Sequence, residues 1–167
     1  MNISTKRTIE WSALYLVISL LASGCGALGS SKKVKPVAWN VTITKATPAS
    51  IEVDVIGVTD EEKKFYDGLN MDGYWPNSQV RRDADKLSTI LKDKQPWTIK
   101  IDDPKWVQWK NRGVTTLLVV ADLPVPNGLW KVPLTLDKKS WNASNHTLEI
   151  EIQNTLIRVQ TPMRIRN

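Results

Sequence analysis

The chain has 167 residues, a formal net charge of +6, one histidine, one cysteine and eight tryptophans against a single phenylalanine. One histidine and one cysteine are too few for a zinc site of histidine and cysteine ligands, and His146 is the only candidate base for a Ser-His-Asp triad. No nucleophile motif lies beside His146, so we interpret it as a surface residue. We predict that the chain is not an enzyme and has no metal and no small-molecule cofactor.

The amino-terminal segment has the layout of a bacterial lipoprotein signal. Lys6 and Arg7 form a basic start, residues 11–22 form an apolar run, and small residues lead through Gly24 to Cys25. The apolar run holds about a dozen residues, against the roughly 20 that a membrane-spanning helix needs. We predict cleavage between Gly24 and Cys25 and a covalent lipid on Cys25. An ordinary cleaved signal with a free thiol and an uncleaved amphipathic helix are the alternatives.

Lipidation would also remove an unpaired thiol from an oxidising compartment. A diacylglyceryl group together with an amino-terminal acyl chain makes membrane attachment effectively permanent. Bacterial lipoproteins that carry an aspartate directly after the cysteine tend to stay in the inner membrane, whereas this chain has Gly26. That resemblance implies the periplasmic face of the outer membrane.

Cleavage would divide the chain into a signal peptide (residues 1–24), a lipidated flexible tether (25–35) and one domain (36–167). The tether is rich in glycine and serine and has few apolar groups to pack. Loss of two basic residues and one acidic residue with the signal lowers the net charge from +6 to +5. This modest excess is compatible with an anionic leaflet or an acidic protein partner, and we expect no nucleic-acid ligand outside the cytoplasm.

Apolar residues after Pro36 recur mainly with a period of two, which indicates strands with one buried face. The predicted strands lie at 37–44, 51–55, 97–101, 115–121, 129–136, 148–152 and 155–159. The last two form a tight hairpin around Gln153-Asn154. About seven short strands with Pro- and Gly-rich turns and no βαβ alternation predict an all-β fold, an antiparallel β-sandwich.

A short helical insertion is predicted near residues 60–91. Thr59 is a suitable N-cap for a helix that opens with Asp60-Glu61-Glu62. We expect a turn around Gly73 and Pro76, and one or two further helical turns within 83–91. The carboxylates of Asp60–Glu62, like those of Asp102-Asp103, fit no calcium-loop pattern and are interpreted as a helix start and a solvated turn.

Seven tryptophans lie beyond the signal. We interpret Trp39, Trp97 and Trp130 as large core residues on buried strand faces. Four aromatic residues lie in segments without a core pattern and near basic side chains. They are Tyr74, Trp75, Trp106 and Trp109. We predict that these four form an exposed platform for a protein partner, for sugar rings or for lipid headgroups.

The lipoprotein signal, the tether and the strand Ile51–Val58 followed by Phe65 and Leu69 resemble the type VI secretion outer-membrane lipoproteins, the TssJ-like family. Residues 97–101, 115–121 and the 148–159 hairpin are similar to the later core strands of that family. The resemblance implies a transthyretin-like or immunoglobulin-like sandwich on the outer membrane. It also implies a partner, the periplasmic part of an inner-membrane protein of the secretion complex.

One departure limits what the resemblance transfers. The family usually has an extended, partner-binding loop between its first two strands, whereas residues 45–50 are short here. No partner-binding residue is therefore assigned from the family. We expect a lipid-anchored scaffold or adaptor of a secretion complex. The alternative is a carbohydrate- or peptidoglycan-binding module that stacks sugars on exposed tryptophans.

Overall fold

Eight strands and four helices build the part of the chain that the structure, a computed structural model, describes: residues 35–75, 78–125 and 128–164. The strands are β1 (Asn40–Lys45), β2 (Ile51–Val58), β3 (Lys86–Leu91), β4 (Trp97–Ile99), β5 (Thr116–Ala121), β6 (Lys131–Thr135), β7 (Thr147–Ile152) and β8 (Ile157–Val159). The helices are α1 (Asp60–Asp67), α2 (Met71–Tyr74), α3 (Gln79–Asp83) and α4 (Lys105–Arg112).

The first sheet has the strand order β4-β1-β7-β8. β1 pairs antiparallel with β4 and parallel with β7, and β7 pairs antiparallel with β8. The predicted closing hairpin is therefore confirmed, with Gln153 N donating to Leu156 O at 2.9 Å across its turn. The parallel pair joins strands about 100 residues apart, and local alternation carries no information about such a pairing.

The second sheet has the order β3-β2-β5-β6 and is antiparallel throughout. Side chains alternate between the two faces of a strand. In the core, Val41 and Ile43 of β1 and Val53 and Val55 of β2 are fully buried. The predicted β-sandwich is confirmed, with eight strands and one parallel pair.

The helical insertion matches its prediction at its start and differs from it further along the chain. α1 begins as expected: Thr59 Oγ1 accepts a hydrogen bond from Glu62 N at 3.3 Å, and Glu62 Oε2 accepts one from Thr59 N at 2.9 Å, which completes a capping box. The expected helical turns within 83–91 are wrong, because Lys86–Leu91 forms β3 and pairs with β2. Its β-branched Thr89 and Ile90 suit a pleated strand better than a helix.

Helix α4 was not predicted from the sequence. Asp103 Oδ1 accepts a hydrogen bond from Lys105 N at 2.8 Å where the helix begins, and Gly113 ends it in the left-handed conformation at φ 79°. Trp106 and Trp109 are three residues apart and lie on one face. α4 connects the first sheet to the second, because it follows β4 and precedes β5.

Candidate functional site

The predicted lipidation site lies outside the described residues. Cys25, the cleavage position after Gly24 and the tether up to residue 34 therefore remain predictions from the sequence. None of the helices between residues 35 and 164 that the structure describes combines the length and hydrophobicity needed to cross a bilayer.

Tyr74 and Trp75 are buried, with 0% and 4% of their surface exposed. The expectation that they form an exposed platform is wrong. Asn70 caps the short helix α2 through a hydrogen bond from Gly73 N to its Oδ1 at 2.8 Å. This turn directs both aromatic side chains toward the protein, where their rings meet edge to face at 5.1 Å.

Both aromatics belong to a group of contacting residues around the buried Asp54, which we call the Asp54 cluster: Glu52, Asp54, Tyr74, Trp75 and Arg81. Asp54 is 0% exposed, and its Oδ2 accepts hydrogen bonds from Tyr74 Oη and from Arg81 Nε, each at 2.8 Å. Arg81 also forms an ion pair with Glu52, and its guanidinium lies 4.0 Å from the centre of the Trp75 ring. The cluster joins α2 and α3 to strand β2.

Burial and these contacts fix the protonation of Tyr74 and Arg81. Burial and the neighbouring Asp54 charge raise the pKa of Tyr74 well above its ordinary value, so Tyr74 stays a neutral donor. Burial acts to lower the pKa of Arg81, but hydrogen bonds to Asp54 and Glu52 outweigh it and raise that pKa. The cluster is a paired network that holds the helical insertion on the sheet, and its groups are engaged with one another rather than presented for acid-base chemistry.

Trp106 and Trp109 are also buried, at 7% and 0% exposed, so their predicted exposure is wrong as well. Trp106 Nε1 donates to Lys100 O at 2.9 Å, and the two indole rings meet edge to face at 5.2 Å. Trp109 packs directly on Gly57 of β2, where an added Cβ would lie 2.5 Å from two atoms of the indole. Only a glycine at position 57 admits this indole without displacement.

Ion pairs and hydrogen bonds surround the contact between α4 and β2. Arg112 donates to Gly57 O at 2.6 Å and to Glu62 at 2.8 Å, and it forms an ion pair with Asp85. Lys105 forms a further ion pair with Asp85. Charged side chains thus connect α4 with α1 and with the residue that precedes β3.

The remaining aromatic residues lie mostly in the core. Trp39 and Trp130 are buried, which confirms their predicted role. Trp141 is also buried, whereas Trp97 is partly exposed. His146, predicted at the surface, is half-buried, and its ring lies 5.5 Å from that of Trp39. The sugar-binding alternative therefore loses the exposed tryptophans from which it was inferred.

The carboxylate groups that the structure describes were compared with the arrangement that a metal ion needs. Within the described ranges, no group of three or more His, Cys, Asp or Glu side chains is placed to hold a metal ion. Asp60–Glu62 form the first turn of α1, as predicted. Asp103, predicted to lie in a solvated turn, accepts the hydrogen bond from Lys105 N at the start of α4. Asp60 Oδ1 also accepts a hydrogen bond from Thr115 Oγ1 at 2.6 Å.

Three residues that organise this region were missed by sequence reasoning: Asp54, Gly57 and Arg81. Alternation in β2 placed Asp54 on a solvent-facing side, but that side is covered by the helical insertion. A carboxylate and a glycine within an otherwise apolar strand were the available signals, since a strand glycine often marks a close approach of another group. Arg81 had no signal of its own.

No protein-family profile and no curated protein matches the chain. Among solved structures, a chain of a type VI membrane complex superposes with a TM-score of 0.50 at 13% identity, covering 76% of this chain and 98% of that one. The Lip component of the type VI secretion system of Serratia marcescens (TM-score 0.49, 12% identity, 79% and 100% covered) and the lipoprotein TssJ1 of Pseudomonas aeruginosa (TM-score 0.48, 12%, 80% and 100%) are also similar. The chain thus shares its sandwich fold with a chain of a type VI membrane complex, and a sandwich is the fold that its sequence resemblance implied.

Proposed function

We propose that this protein is a lipid-anchored scaffold or adaptor of a type VI-like secretion complex, held by Cys25 at the periplasmic face of the outer membrane. The observation that carries the proposal is the fold shared with a chain of a type VI membrane complex over 76% of this chain. The lipoprotein signal supports it independently, because it supplies the membrane attachment.

The described polar groups support a binding role rather than catalysis. The most deeply buried carboxylate, Asp54, is already bonded to Tyr74 and Arg81, and the Arg112 network is likewise paired within the chain. A catalytic site keeps reactive groups within reach of a substrate. These networks instead hold helices on a sheet, which suits a rigid adaptor.

The anchor is tested by Cys25→Ser. We expect an unlipidated precursor that does not incorporate labelled fatty acid, because serine offers no thiol for the diacylglyceryl group. Ser31→Ala in the tether is the matched control and should be processed and acylated like the original chain. Acylated, membrane-bound protein from Cys25→Ser would contradict the lipidation proposal.

The partner is tested by crosslinking and affinity capture from intact envelopes. We expect the anchored protein to capture the periplasmic part of an inner-membrane secretion-complex protein, the partner that the family resemblance implies. The Cys25→Ser chain is the control for capture that depends on membrane placement. Recovery of no such protein, combined with loss of tryptophan fluorescence on addition of peptidoglycan fragments, would replace the adaptor by a sugar-binding module.

A further inference from the structure

We propose that the corner of the domain at which the tether enters binds an anionic lipid surface. This basic corner consists of Lys35, Lys138, Lys139, Met163 and Arg164. The inference deepens the proposed function and rests on it, since the anchor at Cys25 is what brings the corner to the membrane.

Backbone pairing holds the three segments of the basic corner side by side. Pro36 forms a bridge with Asp137, and Val37 N donates to Leu136 O at 3.1 Å. On the other side of the same segment, Trp141 forms a bridge with Met163, and Arg164 N donates to Ser140 O at 2.9 Å. The start of the domain, the 138–140 turn and the 163–164 segment therefore share one surface.

The cations of the basic corner are exposed to solvent. Lys35, Lys138, Lys139 and Arg164 are all exposed, and Met163 is 62% exposed beside them. None of these four cations forms an ion pair with a carboxylate of residues 35–75, 78–125 or 128–164.

One carboxylate, that of Asp137, lies within the basic corner. Its Oδ1 accepts a hydrogen bond from Lys139 N at 3.0 Å, and its Oδ2 accepts one from Ser140 Oγ at 3.3 Å. With four cations and this single carboxylate, the corner has a formal charge of +3.

The tether makes a bilayer the nearest available anionic surface. Lys35 follows Cys25 by ten positions in the sequence, and a chain of that length reaches at most about 35 Å even when fully extended. Each lysine or arginine close to an anionic membrane strengthens the contact by about fivefold, the equivalent of about 1 kcal/mol. An exposed methionine among such cations suits the boundary between headgroups and acyl chains.

The test places a probe at the corner. The chain has a single cysteine, Cys25, which the anchor blocks, so Met163→Cys creates the only free thiol. Lipidated Met163→Cys protein carrying a polarity-sensitive dye is reconstituted into vesicles of phosphatidylcholine alone or with phosphatidylglycerol. We expect a blue-shifted emission only in the anionic vesicles and reversal of the shift at high salt.

Two charge-reversal pairs in the Met163→Cys background supply the comparison. Lys138→Glu with Lys139→Glu should weaken the anionic contact at least 25-fold and abolish the shift. Lys92→Glu with Lys94→Glu is the matched control. These two lysines are also exposed, but they follow Leu91, which pairs with Ile51 at the start of β2 and does not belong to the basic corner. The control pair should retain the shift.

The outcomes separate this inference from the proposed function. Dye incorporation into the original chain means that Cys25 is free and that the anchor proposal fails. No dye on the original chain, together with equal Met163→Cys emission in both vesicle types, overturns the basic corner and leaves the anchor intact. A shift that needs added envelope protein also overturns it, in favour of an acidic protein partner.

Discussion

The outer faces of the two sheets differ in their exposure to solvent. In the first sheet, the outward side chains of β1, β4, β7 and β8 are polar and at least partly exposed. They include Thr42, Thr44, Thr98, Glu149, Glu151 and Arg158. In the second sheet, the outward residues of the central strands are buried apart from Glu52 at the start of β2, which is partly exposed. The buried ones are Asp54, Ile56 and Val58 of β2 and Thr116, Leu118 and Val120 of β5.

The cover over the second sheet consists of α1, α2 and α3. The Asp54 cluster ties α2 and α3 to β2, and Lys131 of β6 holds the end of α1 by donating to the carbonyls of Tyr66, Asp67 and Leu69 at 2.5, 2.9 and 2.6 Å. Burial is the main influence that lowers the pKa of Lys131. The comparison shows that a charged residue on the outer face of a sheet needs partners within the protein where helices cover it, and needs none where it faces water.

The largest expected effect comes from Arg81→Leu. This change leaves the Asp54 carboxylate buried without its cation, and breaking a buried pair in this way typically costs about 3–5 kcal/mol. We expect the free energy of unfolding, measured by urea denaturation, to fall by about that amount. Arg158→Leu on the exposed face of the first sheet is the matched control and should change it by about 0.5 kcal/mol or less. Equal losses from both variants would contradict the contrast between the two sheets.

A smaller loss is expected from Gly57→Ala. The new methyl group would lie 2.5 Å from the Trp109 indole, so the helix or the strand must move, at a cost of about 1–3 kcal/mol. Gly68→Ala is the control, because Gly68 has φ −77° and an added Cβ there would lie 3.7 Å from Phe65 O, an ordinary van der Waals contact. That variant should be neutral or more stable by about 0.4–1 kcal/mol. Thermal unfolding of both variants would show whether α4 is fitted as tightly to β2 as the structure indicates.

The first sheet, whose outer face is exposed, is the part that the sequence predicted best. In β7, Leu148, Ile150 and Ile152 alternate with Glu149 and Glu151, and that pattern alone indicates a strand with one face in water. In β5, the run from Thr116 to Ala121 is apolar on both faces, which correctly indicated a central strand but not what covers it.

The candidate site was harder to predict, because its residues come together only in the folded chain. Tyr74 and Trp75 lie 20 or more residues from Asp54 and have no strand or helix period around them. The sequence around them does not indicate that the outer face of the second sheet is covered, so their aromatic rings were interpreted as exposed to a partner. Trp106 and Trp109 were misassigned for the same reason, since α4 is short and has few apolar residues besides this pair.

The covered face should also give the protein a distinct response to high pH. The raised pKa of Tyr74 keeps its hydroxyl protonated in the folded state above the ordinary value of 10.0, whereas the unfolded chain loses that proton. The stabilisation is therefore complete below about pH 10 and is lost as pH rises, by about 1.4 kcal/mol per pH unit. Tyr74→Phe should reduce the slope of unfolding free energy against pH by that amount. Tyr66, whose pKa is raised mainly by burial and next by Glu62, remains in the variant and preserves part of the slope.

The smallest effect is expected on the exposed face of the first sheet. Thr98 Oγ1 lies 3.2 Å from Thr42 Oγ1 across the β1–β4 pair, and both hydroxyls can be replaced by water. Thr98→Ala should therefore lower the free energy of unfolding by about 0.5 kcal/mol or less, in the range of a single cross-strand pair. The measurement is urea denaturation under the conditions used for Arg81→Leu. A loss above about 1.5 kcal/mol would mean that this face is not open to water, and that the two sheets are covered more alike than their side chains indicate.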